Sequence, residues 1–544
     1  MNKFENKPEK DDGFVEYKWR LINLSPERLE QLATQMHYRL TEGNGEAIYE
    51  IGLMDNGFPE GVTEDEMTES DVNLRKIAEK IDAYVKQISE KKIGNKFFRE
   101  YLIREKPVNN NYIDLSIVVA GNVDAAKSST IGCLISGVLD NGRGLSRTQV
   151  FNYVHEVESG RTSSVGHQIM GFDGEGKVVN YGGVKKLSWP EIVRNSSKVI
   201  TFYDLCGHEK YLRTTIYGFS SSSPDYAMIM VGANMGITHM TKEHIALCLT
   251  YKIPFFIVYT KIDITPEDVF KETKKNVKKL LSAGGCRKII LEMKDNEGVI
   301  LGAKNVVGGS VVPVMEISNV SGYNLDLLRS FLNILQKRIN YKKYEGDDVE
   351  FTVDAKYCVT GVGTVVAGVM HKGVVKVGDN VLIGPDGLGQ YMRTQIRSIH
   401  EKRVNVGEAK AGSYVCFGLR KVSKGWIRRG MVILGNLQHT SIVWQFDADV
   451  SINASNLTTI RVGYEPNIHV NNISQVCVVM DIGGKDCLRA GEKANVRFCF
   501  KYFPQYLREG SRIVFRENRV RGVGIIRKIV GGNKPQFVKK LKNN

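Results

Sequence analysis

Gly121-Asn122-Val123-Asp124-Ala125-Ala126-Lys127-Ser128, continued by Ser129, stands between the apolar run Ile117-Val118-Val119-Ala120 and the segment Thr130-Ile131-Gly132-Cys133-Leu134-Ile135. The order predicts strand, tight loop and helix. In that setting a G-x-x-x-x-G-K-[ST] loop cradles phosphates on backbone N–H groups at a helix N-terminus. Lys127 and Ser128 fill the last two positions of the pattern, but its second glycine is Ala126. Glycine serves there because a larger residue crowds both the backbone angles and the close approach of a phosphate. Two outcomes follow. A rigid loop loses charge-assisted hydrogen bonds worth about 1.5–3 kcal/mol each, whereas a loop that relaxes slightly keeps its ligand.

Three more motifs follow in order, each after an apolar strand pattern. Asp204-Leu205-Cys206-Gly207-His208 comes after Lys198-Val199-Ile200-Thr201-Phe202-Tyr203. A carboxylate at that strand end can reach Mg²⁺ through water, and the glycine lets a backbone N–H approach a γ-phosphate. Thr260-Lys261-Ile262-Asp263 comes after Ile253-Pro254-Phe255-Phe256-Ile257-Val258-Tyr259. The Asp263 carboxylate can accept two hydrogen bonds from guanine N1 and N2, which adenine does not offer. Ser318-Asn319-Val320-Ser321-Gly322 ends the run that starts at Val311 and is suited to closing over a base.

Together these resemble the motifs of a translational GTPase, the class of elongation factor Tu and its eukaryotic 1-alpha relatives. The resemblance is closest to the GTP-binding protein 1 and 2 branch. It extends over about residues 100–530 and is also carried by Leu139-Asp140-Asn141-Gly142-Arg143-Gly144, by Glu158-Ser159-Gly160-Arg161-Thr162-Ser163-Ser164-Val165-Gly166, by residues 204–211 and by Thr241-Lys242-Glu243-His244.

The resemblance implies GTP or GDP as ligand, Mg²⁺ as its metal and hydrolysis of GTP as the activity. Nucleotide contacts are expected along 121–129, 204–207, 260–263 and 318–320, with Lys127 on the β- and γ-phosphates. Ser128 and Thr162 would ligate Mg²⁺, Ser163 and Ser164 being alternatives to Thr162. His208 would orient the attacking water, the catalytic role. Thr260 replaces the asparagine of many GTPases with a shorter side chain, a replacement shared by the branch resembled, and Asp263 keeps the preference for guanine.

Composition agrees with a multidomain chain. The 544 residues suffice for three or four domains. Nine cysteines without a C-x-x-C pair read as reduced thiols of a cytoplasmic protein. No stretch has the length of a membrane span, and the opening residues do not read as a signal peptide. A formal charge of +15 favours an anionic macromolecule as partner. The basic tail contains Arg516, Arg519, Arg521, Arg527, Lys528, Lys534, Lys539, Lys540 and Lys542. With the resemblance, this points to the ribosome and to tRNA or another RNA, with a guanine-nucleotide exchange factor as a further candidate and neither membrane nor DNA expected.

The fold class expected is an α/β P-loop GTPase domain followed by two antiparallel β-barrels, with a small N-terminal α+β domain. Boundaries are placed at 1–110, 111–342, 343–438 and 439–530, with 531–544 as a basic tail. In the first module, Ser25-Pro26 opens a helix with Leu29, Leu32, Ala33, Met36 and Leu40 on one face, and Gly43 stops it. Leu74, Ile77, Ile81, Tyr84, Val85 and Ile88 predict a second helix, and residues 97–104 a strand. Residues 168–180 read as a hairpin. Beyond 350 the pattern turns to period two with frequent glycines. Two functions remain open: a GTPase of translation (delivery of aminoacyl-tRNA) or of RNA surveillance, and a degenerate, weakly binding scaffold that docks RNA or the ribosome.

Overall fold

Helix α1 (Pro26–Glu42) starts where Ser25 accepts the Arg28 N–H and Pro26 takes the first turn, and it ends against Gly43. Its apolar face packs on a mixed sheet formed by β1 (Val15–Lys18), β2 (Glu46–Ile51), β3 (Ala83–Ile93) and β4 (Lys96–Glu105) in the order β1-β2-β4-β3. The computed structural model describes residues 13–107, 112–151, 156, 162–181, 187–436, 442–452, 459–516 and 520–531. Helix α2 (Glu64–Lys80) opens with a capping box between Thr63 and Glu66. It stops earlier than the apolar spacing predicts. Asp82 takes φ +51°, and Tyr84, Val85 and Ile88 lie on β3, in register with β4. Over this stretch the spacings of a helix and of a strand overlap, and cross-strand pairing decides the outcome.

The following sheet is built from β5 (Ile113–Gly121), β6 (Gly166–Phe172), β7 (Lys198–Asp204), β8 (Tyr226–Gly232), β9 (Phe255–Thr260), β10 (Ile289–Glu292) and β11 (Val311–Glu316) in the order β10-β11-β9-β8-β5-β7-β6. All its pairs are parallel except β6 with β7. Both faces are covered, so the strands read as unbroken apolar runs. Along the chain lie α3 (Lys127–Ser136), α4 (Trp189–Arg194), α5 (Leu212–Ser221), α6 (His239–Tyr251), α7 (Glu267–Ser282), α8 (Asn296–Val306) and α9 (Leu325–Ile334). Strand order reverses at β5, which puts the loop after it at the crevice where such sheets bind ligands. The hairpin expected over 168–180 is reduced to a single bridge, Phe172 to Val178, because β6 takes its ladder from β7.

Buried charge ties the N-terminal sheet to this one. Glu46 on β2 bonds Arg104 at 2.7 Å and Lys198 at 2.8 Å, and all three are essentially inaccessible to water. Arg104 also donates to Asn333 Oδ1 at 2.7 Å and to the Asp173 carbonyl at 2.9 Å. Lys198 donates to the Asn333 carbonyl at 2.8 Å and to that of Leu335. Burial pushes the Lys198 ammonium down to about 8. Nearby, Lys304 bonds Glu50 and Glu100. Ile48 and Leu102 of the first sheet share a core with Leu115, Ile117 and Phe331.

Except for α5 and the second half of α6, these elements form one compact unit, residues 1–208, 224–245 and 253–340; the other comprises 209–223, 246–252 and 341–544. In the second, Glu350–Val359, Gly363–Lys372, Tyr414–Leu419, Met392–Glu401, Asn380–Gly384 and Val432–Leu434 form a ring of antiparallel strands around Phe351 and Phe417. A second closed barrel runs Gln445–Ile452, Lys493–Phe500, Ile473–Asp481, Asn467–Val470, Arg512–Arg516 and Val520–Val530, filled by Phe446, Phe498 and Phe515. Closure removes the open edges of period-two sheets. Of the expected basic tail, Arg519 and the lysines beyond 531 lie outside the described residues. Among the described residues no helix is long and apolar enough to cross a membrane.

Two expectations follow. Glu46→Gln leaves Arg104 and Lys198 as buried cations without a counter-charge, and is expected to destabilise its unit by about 3–5 kcal/mol, seen as a lowered first transition in thermal unfolding. Burial holds His244 and His469 near 3, so both are neutral in the fold. The unfolded chain binds those protons near pH 6.5, so it carries more of them between about pH 3 and 6.5. Thermal stability is therefore expected to fall as pH drops below about 6.5, and replacement of either histidine by an isosteric neutral residue should flatten that slope.

Candidate nucleotide-binding site

Gly121 ends β5 with φ +149°, and a Cβ there would stand 2.4 Å from the Met230 carbonyl of β8. The loop then winds through left-handed backbone at Asp124 (φ +60°) and at Ala126 (φ +59°, ψ +27°). Alternation of this kind turns successive N–H groups toward one concavity, an anion nest. Ala126 keeps the turn a glycine would make. Left-handed backbone costs an L-residue roughly 1–2 kcal/mol, and the alanine is half-exposed at the rim.

Val123, Asp124, Ala126, Lys127, Ser128, Ser129, Arg147, Thr162, Gly207 and His208 line one pocket at the N-terminus of α3. Lys127 is buried there and donates to the Asn122 carbonyl at 2.7 Å. Burial pulls its ammonium below the usual lysine range. Ser128 Oγ donates to Asp204 Oδ2 at 2.5 Å and lies 3.0 Å from Thr162 Oγ1, which itself lies 3.4 Å from Asp204 Oδ2. Asp204 is buried, which pushes its carboxyl up to about 6. Its Oδ1 has no hydrogen-bond partner among the described residues. Gly207 lets its strand end press on the loop: a Cβ would meet Lys127 Nζ at 2.5 Å and Val123 N at 2.7 Å. His208 is exposed at the pocket edge.

Of the two alternatives to Thr162, Ser163 and Ser164 both turn away. Their backbone and hydroxyl groups donate to Glu156 Oε1 at 2.8–3.3 Å. Leu205 and Cys206 are fully buried, so only their backbone faces outward chemistry. Leu205 N–H bonds Val119 on β5, and burial drives the Cys206 thiol up to about 12.

The base-side motifs arrive from β9 and β11. Thr260 is buried and donates to the Ala125 carbonyl at 3.3 Å, bracing the phosphate loop. Lys261 takes φ +62° and begins a short turn, Ile262–Ile264, with Asp263 exposed. Ser318 Oγ accepts the N–H groups of Val320 and Ser321, shaping the second loop. Asn319 donates to Thr130 Oγ1 at 2.9 Å, and Val320 is exposed. Of the phosphate-side candidates, Val123, Asp124, Ala126, Lys127, Ser128, Ser129, Thr162, Gly207 and His208 line one pocket, whereas Gly121, Asn122, Ala125 and 204–206 do not line it; the base-side loops bond the phosphate loop at Ala125 and α3 at Thr130. Arg147 and Glu156 were not among the residues expected. Arg147 has no motif of its own, and Glu156 acts through a loop whose path the sequence does not specify.

Residues 114–339 match the family described as Elongation factor Tu GTP binding domain, and 363–434 match Elongation factor Tu domain 2. GTP-binding protein 1 of Xenopus laevis is 41% identical over 95% of this chain and 79% of its own length. GTP-binding protein 2 of Homo sapiens is 40% identical over 95% of this chain and 87% of its own. The chain belongs to the GTP-binding protein 1 and 2 family of elongation-factor-like GTPases. Elongation factor 1-alpha of Metallosphaera sedula is a more distant relative, 25% identical over 74% of this chain and 88% of its own length. Two solved structures share the fold at a TM-score of 0.55. One is a bacterial selenocysteine-specific elongation factor, 19% identical over 76% of this chain, of which the chain spans 58%. The other is elongation factor SelB from Methanococcus maripaludis with a GTP analogue, 21% identical over 77% of this chain and 80% of its own.

For this family member, Ala126→Gly relieves the left-handed strain but adds freedom worth about 0.4–1 kcal/mol to the unfolded chain. The net result expected is stabilisation of up to about 1 kcal/mol, read as a small rise in thermal midpoint.

Proposed function

We propose that the chain binds GTP at the α3 pocket and hydrolyses it to GDP and phosphate as a factor acting on the translation machinery. The observation that carries this reading is the convergence of Ser128, Thr162 and Asp204, three oxygen donors from phosphate loop, switch segment and strand end, beside buried Lys127. Backbone N–H groups of 122–128 and the Lys127 ammonium would hold the β- and γ-phosphates. Thr260, Lys261, Ile262 and Asp263 with Ser318, Asn319 and Val320 would enclose guanine, the Asp263 carboxylate selecting it.

The oxygen donors fit Mg²⁺: they are hard ligands, and Asp204 keeps one oxygen without a hydrogen-bond partner among the described residues. Ser128 and Thr162 would hold the ion directly and Asp204 through water; when bound, it neutralises charge on the phosphates. The triphosphate and its ion would hold Thr162 in this position, lining the same pocket as His208. His208, at the pocket edge, would orient the water that attacks the γ-phosphorus. A histidine brought into line only by an ordered switch gives a partner control over turnover. The ribosome, with tRNA or another RNA, is the partner that fits the net charge of +15, with an exchange factor for GDP release and the cytoplasm as the site of action. Domain limits near 110, 342, 438 and 530 belong to the same proposal.

The test is single-turnover hydrolysis with and without ribosomes. His208→Ala is expected to lower the rate about 10²–10⁴-fold with nucleotide affinity unchanged. An unaltered rate removes His208 from the reaction. RNA binding that is indifferent to nucleotide, in a chain that binds no GTP, would favour the scaffold instead.

A further inference from the structure

Asp140-Asn141-Gly142-Arg143-Gly144 is the motif whose chemistry the nucleotide-binding reading leaves unused. In the structure it is a tightly wound loop. Asn141 Oδ1 accepts the N–H groups of Arg143 at 2.9 Å and Leu145 at 3.2 Å, and Asp140 Oδ1 accepts that of Ser146 at 3.0 Å. Gly142 and Gly144 take φ +76° and +91°. Both ends are fastened to the nucleotide site. Asp140 N–H donates to the Asn319 carbonyl of the base-side loop at 2.9 Å. The Ser146 carbonyl lies against Gly132 of α3, where a Cβ would come within 2.1 Å of it.

The turn that follows, Ser146–Gln149, carries Arg147. This side chain is half-buried and lines the same pocket as Lys127, Ser128, Ser129, Thr162 and His208. Its seat is made by Gly144: a Cβ there would lie 2.2 Å from Arg147 Nε and 2.6 Å from Cζ. Gly144 thus leaves room for the guanidinium, and the loop leads directly into the turn that bears it. Among the described residues lining the pocket, the lysine and arginine side chains are Lys127 and Arg147. A guanidinium fork matches the oxygens of a phosphate two at a time, which an ammonium does not.

We propose that Arg147 is a phosphate-binding residue whose guanidinium contacts the polyphosphate of the bound guanine nucleotide, and that the 140–144 loop serves to hold it there. This rests on the guanine-nucleotide reading above and adds a contact to it. Arg147 supplies charge to the pocket from a segment other than the phosphate loop.

The test is competition binding of a non-hydrolysable GTP analogue, GDP and guanosine to the full chain with Mg²⁺, for wild type, Arg147→Ala and Arg147→Lys. Arg147→Ala is expected to weaken both phosphorylated ligands about 10–100-fold and leave guanosine unchanged. Arg147→Lys, which keeps charge without the fork, should fall between. Gly144→Ala, which occupies the guanidinium's seat, should reproduce the alanine pattern. Thermal unfolding of each variant reports on the fold separately. Unchanged affinity for GDP and the analogue overturns the proposal, as does an equal loss for guanosine, which would mean a merely structural side chain. A wild-type chain that binds none of the three overturns the guanine-nucleotide reading, and this proposal with it.

Discussion

The buried hydrogen bond from Ser128 Oγ to Asp204 Oδ2, 2.5 Å long, holds the site together. It joins the first turn of α3 to the end of β7, and Thr162 joins from a third segment. A buried carboxylate with hydroxyl donors on one oxygen and none on the other is costly to hold in the charged state, which is why its carboxyl is driven up to about 6. Such an arrangement is tolerable where a cation completes it. The same three groups therefore explain both the local electrostatic cost and the way a distant segment could answer to what the pocket holds.

Much of this is legible in the sequence. The phosphate loop, the Asp204 strand end and the two base-side loops each follow an unbroken apolar strand, and parallel β-structure covered on both faces leaves that trace in sequence. The resemblance implied that the motifs meet at one site, and the structure places the phosphate loop after β5, where strand order reverses. Beyond 350, period-two patterning with glycine turns made strands legible, and the barrels themselves came from the resemblance. What sequence left open was three-dimensional choice. Thr162, Ser163 and Ser164 are adjacent and chemically alike, and only the Glu156 carboxylate, by capturing the two serines, separates them.

The N-terminal module shows where periodicity runs out. Leu74 and Ile77 belong to a helix and Tyr84, Val85 and Ile88 to a strand, although their spacing continues without a break. Asp82, in left-handed backbone, marks the change, and aspartate tolerates that conformation without advertising it. Nor did the sequence reveal the module's attachment. Glu46, Arg104 and Lys198 come from three separate stretches, and each alone reads as a surface charge. Buried as a group they cost more desolvation than an apolar contact would. Lys198 begins the strand that Asp204 ends, so the contact fixes the rear of the element whose front carries the site.

Ala126 and Thr260, the two departures from the usual pattern, meet in one place. Thr260 donates to the Ala125 carbonyl, while the Ala126 carbonyl accepts from both the N–H and the hydroxyl of Thr130 at 2.9 Å. That same hydroxyl accepts from Asn319 of the base-side loop. The left-handed turn at Ala126 is thus held on either side by bonds that do not require a glycine, and a strained backbone persists when its surroundings over-determine it. The shorter side chain at 260 reaches a carbonyl of the phosphate loop. The two substitutions are coherent with each other: the residue that strains the loop stands next to the one that the shorter side chain secures.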